Sequence, residues 1–280
     1  VIWADTKVFS DYAFIVREAE GAGVQIFDLT KLRTNYDVKT SSMRILTHDA
    51  VYNQVSTCHN AVMNDETGFL YLVGTNTCQG GLHAVDVHNP LNPTFAGCFD
   101  EDGYTHDAQC VIYRGTDTNY VGKELCFAFN EDTLTIVDVS DKSKMHQVGR
   151  QSYIDYQYTH QGWLTPDMRF LLLNDELDEA NGKTLDGRTR TLIFVLDDLT
   201  NPQLFSTHYS PVGIQSADHN LYITSDGKAY LSDYTSGLRI VDTSTVASGV
   251  TNEIAFFDMC DYSNTIEFKG AWSTYPYFIR

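Results

Sequence analysis

Short apolar runs alternate with polar positions and turn residues along the whole chain, and the runs come in groups of four. Period-two alternation rich in Val, Ile, Phe and Tyr predicts β-strands, and no stretch sustains a helical period. The second run of each group is short and strongly apolar: Tyr12–Val16, Phe69–Val73, Leu125–Phe129, Phe170–Leu173 and Lys228–Leu231. The third ends in an acidic residue, at Val24–Asp28, Leu82–Asp86, Leu134–Asp138, Leu192–Asp197 and Leu238–Asp242. The fourth is evident at Thr94–Phe99, Gln203–His208 and Glu253–Phe257. Each aspartate that ends a third strand is expected to accept N–H groups of the following turn, a structural role rather than a catalytic one.

The first run carries a histidine phrase. Cys58-His59-Asn60-Ala61, Thr105-His106-Asp107-Ala108, Thr159-His160-Gln161-Gly162 and Asp218-His219-Asn220-Leu221 place their histidines 47, 54 and 59 residues apart. Four-stranded units repeating at this period predict an all-β fold, a β-propeller with one unit per blade. A parallel β-helix needs shorter coils, and a sandwich lacks the periodicity. Aligned repeats put Asp5, His59, His106, His160, His219 and Trp272 at one equivalent position, facing a central channel. The expected blades are 1–50, 51–100, 101–152, 153–210 and 211–262, with 263–280 beginning another. That count, five blades and one strand, leaves the expected propeller incomplete at both ends.

Composition narrows the setting. A hydrophobic content of 42% and a charged content of 20% suit a folded globular protein. A net charge of −18 excludes a nucleic-acid backbone as partner, since phosphate binding needs clustered Lys and Arg. No apolar run approaches the roughly 20 residues of a membrane-spanning helix, and Val1–Asp5 has no signal-peptide character. Cys78 and Cys98 flank the loop His88–Pro93, and Cys110 and Cys126 flank Gly115–Gly122. Residues equidistant from a hairpin turn are cross-strand neighbours, so two disulfides and an oxidising, extracellular compartment are expected. Cys58 and Cys260 have no evident partner.

The third-strand pattern resembles the LVIVD repeat, and the whole run is similar to the secreted choice-of-anchor B family. The phrases that carry this are Asn76–His83, Gly97–Phe99, Tyr104–Cys110, Glu131–Asp138, Tyr158–Trp163, Asp175–Glu179, Asp218–Tyr222 and Gly270–Ser273. The resemblance implies an extracellular propeller held at a cell surface, seven-bladed when complete, and it implies no particular reaction.

Three chemistries are open. His59, His106, His160 and His219 can hold a transition metal in the channel, with Asp107 and Asp218 behind them, or can simply brace neighbouring strands. Asp175, Glu176, Asp178 and Glu179 offer carboxylates for calcium on a loop, without the glycine and spacing of an EF-hand. Trp3, Trp163 and Trp272 lie by the first strands and can stack on a ligand or pack in the core. No nucleophile elbow, P-loop, HExxH or dinucleotide fingerprint stands in a usable context. The expected function is therefore an extracellular binding or structural module with a protein or glycan partner. The alternative is a metal-dependent enzyme, oxygenase-like or hydrolytic, at the histidines.

Overall fold

The computed structural model describes residues 3–34, 45–260, 263 and 265–277. Its strands form five four-stranded sheets, each taking its strands in sequence order. The first contains β1 (Ala4–Phe9), β2 (Tyr12–Arg17), β3 (Val24–Asp28) and β4 (Ala50–Tyr52), and the second β5 (Asn60–Asn64), β6 (Phe69–Val73), β7 (Leu82–Asp86) and β8 (Thr94–Phe99). The third contains β9 (Asp107–Ile112), β10 (Glu124–Phe129), β11 (Leu134–Asp138) and β12 (His146–Gln151). The fourth has β13 (Thr159–Leu164), β14 (Phe170–Asp175), β15 (Arg190–Val195) and β16 (Gln203–Tyr209). The fifth has β17 (Leu221–Ile223), β18 (Lys228–Asp233), β19 (Gly237–Asp242) and β20 (Asn252–Phe257). These are the blades of a β-propeller, and the strand β4 carries the first blade two residues beyond its expected end. Helix is confined to α1 (Thr30–Thr34) and four single 3-10 turns among the described residues.

The expected start of a further blade differs from the pattern. Among the described residues after β20 there is no strand, only an isolated antiparallel bridge between Tyr234 and Ala271. A strand needs a run of partners, and here the Ala271 N–H finds just one carbonyl, that of Tyr234, at 2.9 Å. Residue 262, the expected end of the fifth blade, lies outside the described residues.

The chain divides into two compact units. One comprises Val1–Val111 with Val139–His146, the other Ile112–Asp138 with Gln147–Arg280. In the first unit, the sheets of blades one and two close on Phe14, Val16, Ile26, Tyr52, Ala61, Leu70, Leu72 and Val85. In the second, Phe170, Leu172, Ile193, Leu221, Leu231 and Val241 fill the space between blades four and five. Strands β10 and β14 are buried at all six positions, so alternation disappears in both. Close packing of this kind dictates Gly162. A Cβ there would lie 2.5 Å from the Leu172 carbonyl oxygen and 2.8 Å from the Phe129 ring.

The aspartates that end the third strands divide by neighbour. Asp28 and Asp242 accept the N–H of Thr30 and Ser244, and Asp86 accepts that of His88, as Asx-turns do. Asp138 accepts from Lys123, and Asp197 accepts from Nε and Nη2 of Arg169. Asp198, one residue on, then caps the turn at Thr200. A hydrogen bond from Lys or Arg to a carboxylate joins full charges and is stronger than one between neutral groups.

Leu172→Ala should destabilise the second unit by about 3 kcal/mol, as truncation of a well-packed leucine does. Leu204→Ala, on a side chain 44% exposed, should change stability by less than about 0.5 kcal/mol. Urea denaturation of both variants measures the difference.

Candidate histidine–carboxylate site

Within the second unit, the first-strand phrases of blades four and five are locked together by one side chain. The amide of Gln161 donates to the Leu221 carbonyl at 3.0 Å and accepts from the Leu221 N–H at 2.9 Å. Asn174, on β14, adds a bond to the His219 carbonyl at 3.2 Å. His160 and His219 are thereby brought side by side, with ring centroids 4.3 Å apart. Trp272 follows, its ring centroid 4.6 Å from that of His219. Its carbonyl accepts the His219 Nδ1–H at 2.5 Å. Three repeat-equivalent positions are thus consecutive neighbours in this unit.

Glu176 stands against both histidines. It is the residue immediately after β14, and its Oε2 lies 3.7 Å from His160 Nε2 while its Oε1 lies 3.6 Å from His219 Nε2. The Tyr234 hydroxyl donates to Glu176 Oε1 at 2.6 Å. Tyr234 holds the corresponding position in blade five, the residue after β18. Burial pushes the Glu176 carboxyl above its ordinary value, and the Tyr234 hydrogen bond opposes that shift.

The rest of the acidic run faces elsewhere. Asp175 accepts from the Tyr153 hydroxyl and from the N–H groups of Gln157 and Tyr158, each within 2.8 Å. Asp178 pairs with Arg190 at 2.7 Å, and Glu179 accepts the Arg190 N–H at 2.9 Å. The carboxylates considered for calcium are therefore divided: Glu176 joins the histidines, while Asp175, Asp178 and Glu179 are buried among backbone donors and Arg190. Asp218, fully buried, adds a carboxylate whose two oxygens have no hydrogen-bond partner among the described residues. Burial raises Asp178 to about 6, and burial with mutual repulsion raises Glu179 and Asp218 strongly.

In the first unit the other two phrase histidines also stack, His59 and His106, with centroids 4.2 Å apart. There Glu18, the residue after β2, bonds His59 through Nδ1 at 2.5 Å. Asp5 accepts the Ala61 N–H at 3.3 Å. Asp107 is raised to about 7, chiefly by burial. Gly74 holds the position after β6, where a Cβ would fall 2.5 Å from that of His59.

Cys78 and Cys98 form a disulfide, Cys110 and Cys126 are the other disulfide-bonded cysteines, and Cys58 and Cys260 are free and buried. The geometry of the first bond differs from the hairpin reading. The cross-strand partner of Cys98 is His83, because the β7–β8 hairpin is centred nearer Pro90 than His88. Cys78 reaches Cys98 from a 3-10 turn that precedes β7. Burial lowers His83 to about 4, and it hydrogen-bonds Tyr52 and Thr77. Of the tryptophans, Trp163 packs edge-on against Tyr222 at 4.9 Å, and Trp3 is exposed.

The fold and its repeat define the class: a β-propeller of four-stranded blades. Residues 119–152 match the LVIVD repeat, which spans β10 to β12. No curated protein matches the chain. Among solved structures, a functionally unknown protein from Desulfotomaculum acetoxidans is similar over 92% of this chain and 71% of its own, at 12% identity and a TM-score of 0.59. A Lactobacillus plantarum protein matches over 89% and 69%, at 13% identity and a TM-score of 0.56. The β-propeller domain of Myceliophteria thermophila Cps50 (Swd1) covers 89% of this chain and 70% of its own, at 12% identity and 0.53. At such identities the likeness concerns the fold alone.

Stability should fall as pH rises from about 4 to about 7. Asp233 is buried and raised from 3.8 to about 7, mainly by loss of solvent, with Thr189 and Arg239 opposing. In that window the folded state holds a proton that the unfolded state has released, so each pH unit costs up to about 1.4 kcal/mol from this group. Asp233→Asn should flatten the slope by about that share, measured by denaturation at several pH values.

Proposed function

We propose that this chain is an extracellular β-propeller interaction module that docks a protein partner along the outer strand of its fifth blade. One observation carries the reading: β20 exposes Ile254, Phe256 and Phe257 at 50%, 63% and 66% of their surface. It pairs with β19 on one side, and no further strand joins its other edge among the described residues. An exposed apolar edge strand is a template for another chain, whose backbone completes the ladder while its side chains cover the rings. The disulfides support an extracellular setting. The resemblance to choice-of-anchor B proteins adds attachment at a cell surface. A second reading, a metal-dependent enzyme, draws on the grouping of His160, Glu176 and His219 alone.

Labelled, disulfide-intact chain should bind the surface of the cells that produce it, and protease treatment of those cells should abolish binding. Removal of surface glycans with binding intact would assign the partner to protein, and the opposite pattern would assign it to glycan and overturn the strand-docking reading. Ile254→Lys with Phe256→Lys should weaken binding by about tenfold or more, the loss expected for apolar anchors. Equal binding by the double variant, with unchanged circular dichroism, would also overturn it.

A further inference from the structure

His160, Glu176 and His219 lie at the separation of ligands around an ion rather than of groups bonded to each other. One ligand atom from each, two imidazole nitrogens and a carboxylate oxygen, falls within 4.8 Å of the others. The Nε2-to-carboxylate distances of 3.7 and 3.6 Å are too long for hydrogen bonds. Two ligands held about 2.1 Å from one ion at a tetrahedral angle stand about 3.4 Å apart. The two histidine–carboxylate spacings therefore need only a small contraction to meet at a cation.

The surroundings prepare the donors for that role. Because the Trp272 carbonyl accepts from His219 Nδ1, the neutral ring carries its proton there and turns its lone pair, on Nε2, toward Glu176. An imidazole fixed through its second nitrogen by a carbonyl is the usual outer support of a metal-bound histidine. Tyr234 fixes the carboxylate by its bond to Oε1. Behind these groups, Asp175, Asp178, Glu179 and Asp218 are buried with Arg190 paired to Asp178, and Asp218 has both carboxylate oxygens unpartnered. A cation in the site would stabilise the ionised forms of these buried carboxyl groups.

We propose that His160 Nε2, His219 Nε2 and the Glu176 carboxylate bind one divalent transition-metal ion. Two imidazoles and one carboxylate select Zn²⁺, Fe²⁺, Co²⁺ or Mn²⁺ over Ca²⁺ or Mg²⁺, which take oxygen ligands. Three protein ligands leave at least one coordination position for water or a small donor molecule. The site goes beyond the docking role of β20 and does not rest on it. Two other candidates lack these features. Cys78, His83 and Cys98 also cluster, but the disulfide consumes both thiols. Glu18 in the first unit bonds His59 directly through Nδ1.

Tag-free full chain, stripped with chelator and dialysed against Zn²⁺ or Co²⁺, provides the test. One equivalent per chain by mass spectrometry, and a visible ligand-field absorption with Co²⁺, are expected. Glu176→Gln and His219→Ala should each weaken Co²⁺ binding by about 100-fold and change the absorption. His59→Ala should leave both unchanged. Circular dichroism verifies folding, and the near-isosteric Glu176→Gln provides the decisive variant if His219→Ala is unfolded. No uptake of Zn²⁺, Co²⁺, Fe²⁺ or Mn²⁺ by the wild-type chain would overturn the proposal. So would unchanged affinity and absorption in folded Glu176→Gln.

Discussion

The candidate site depends on the side-chain amide of Gln161. It satisfies the N–H and the carbonyl of Leu221 at once, and so substitutes for two rungs of a β-ladder between blades that are not otherwise one sheet. Both bonds are buried, where loss of a partner leaves polar backbone without water and costs about 1–3 kcal/mol per group. Pairing side chain to backbone fixes the relative height of two strands as firmly as register does within a sheet. With Leu221 pinned to Gln161, the residue before one and the residue two before the other, His160 and His219, have to meet.

The second geometric input is the burial of β14. A slip of one residue would carry the polar pair Asn174 and Asp175 away from its buried hydrogen-bond partners, so its register against β13, Leu173 opposite Gly162 and Leu172 opposite Trp163, is strongly specified. Strand alternation then decides what two adjacent acids do. Asp175 closes the strand inward on Tyr153 and the Gln157 and Tyr158 amides. Glu176, one residue later, emerges toward the histidines. Neighbours in sequence are thereby separated in function, one stabilising a loop by hydrogen bonds and one facing the site.

This explains what could and could not be read from the chain. The strands were legible because alternation and middle-strand apolar runs report directly on which faces are covered. The blade position of the histidines was legible because the period of the repeat is long and the phrases are distinctive. Composition groups Glu176 with Asp175, Asp178 and Glu179 as one acidic loop, since it carries no information about which side of a strand end a residue leaves. A signal did exist: Glu18 and Glu176 both follow the second strand of their blades directly. Gln161 carried none, because an amide that bonds a backbone 60 residues away looks like any polar strand residue. Symmetry about the hairpin puts both cysteines of the first disulfide on strands. The offset of its centre by about two residues was enough to put Cys78 in a turn.

The position after the second strand also explains why equivalent blades carry different chemistry. In blade two it is Gly74, where any side chain would strike His59; in blade five it is Tyr234, long enough to reach back to Glu176. In blade one it is Glu18, which meets a histidine at Nδ1 instead of Nε2. The nitrogen that a carboxylate meets determines what the pair can do. A carboxylate on Nδ1 fixes the ring, as an outer support does, whereas one standing off Nε2 leaves the lone pair and the carboxylate facing the same small volume. Identical backbone positions therefore yield a brace in one unit and a set of convergent donors in the other. For His219 the contact that sets this is the Trp272 carbonyl, which takes up Nδ1 and turns Nε2 toward Glu176.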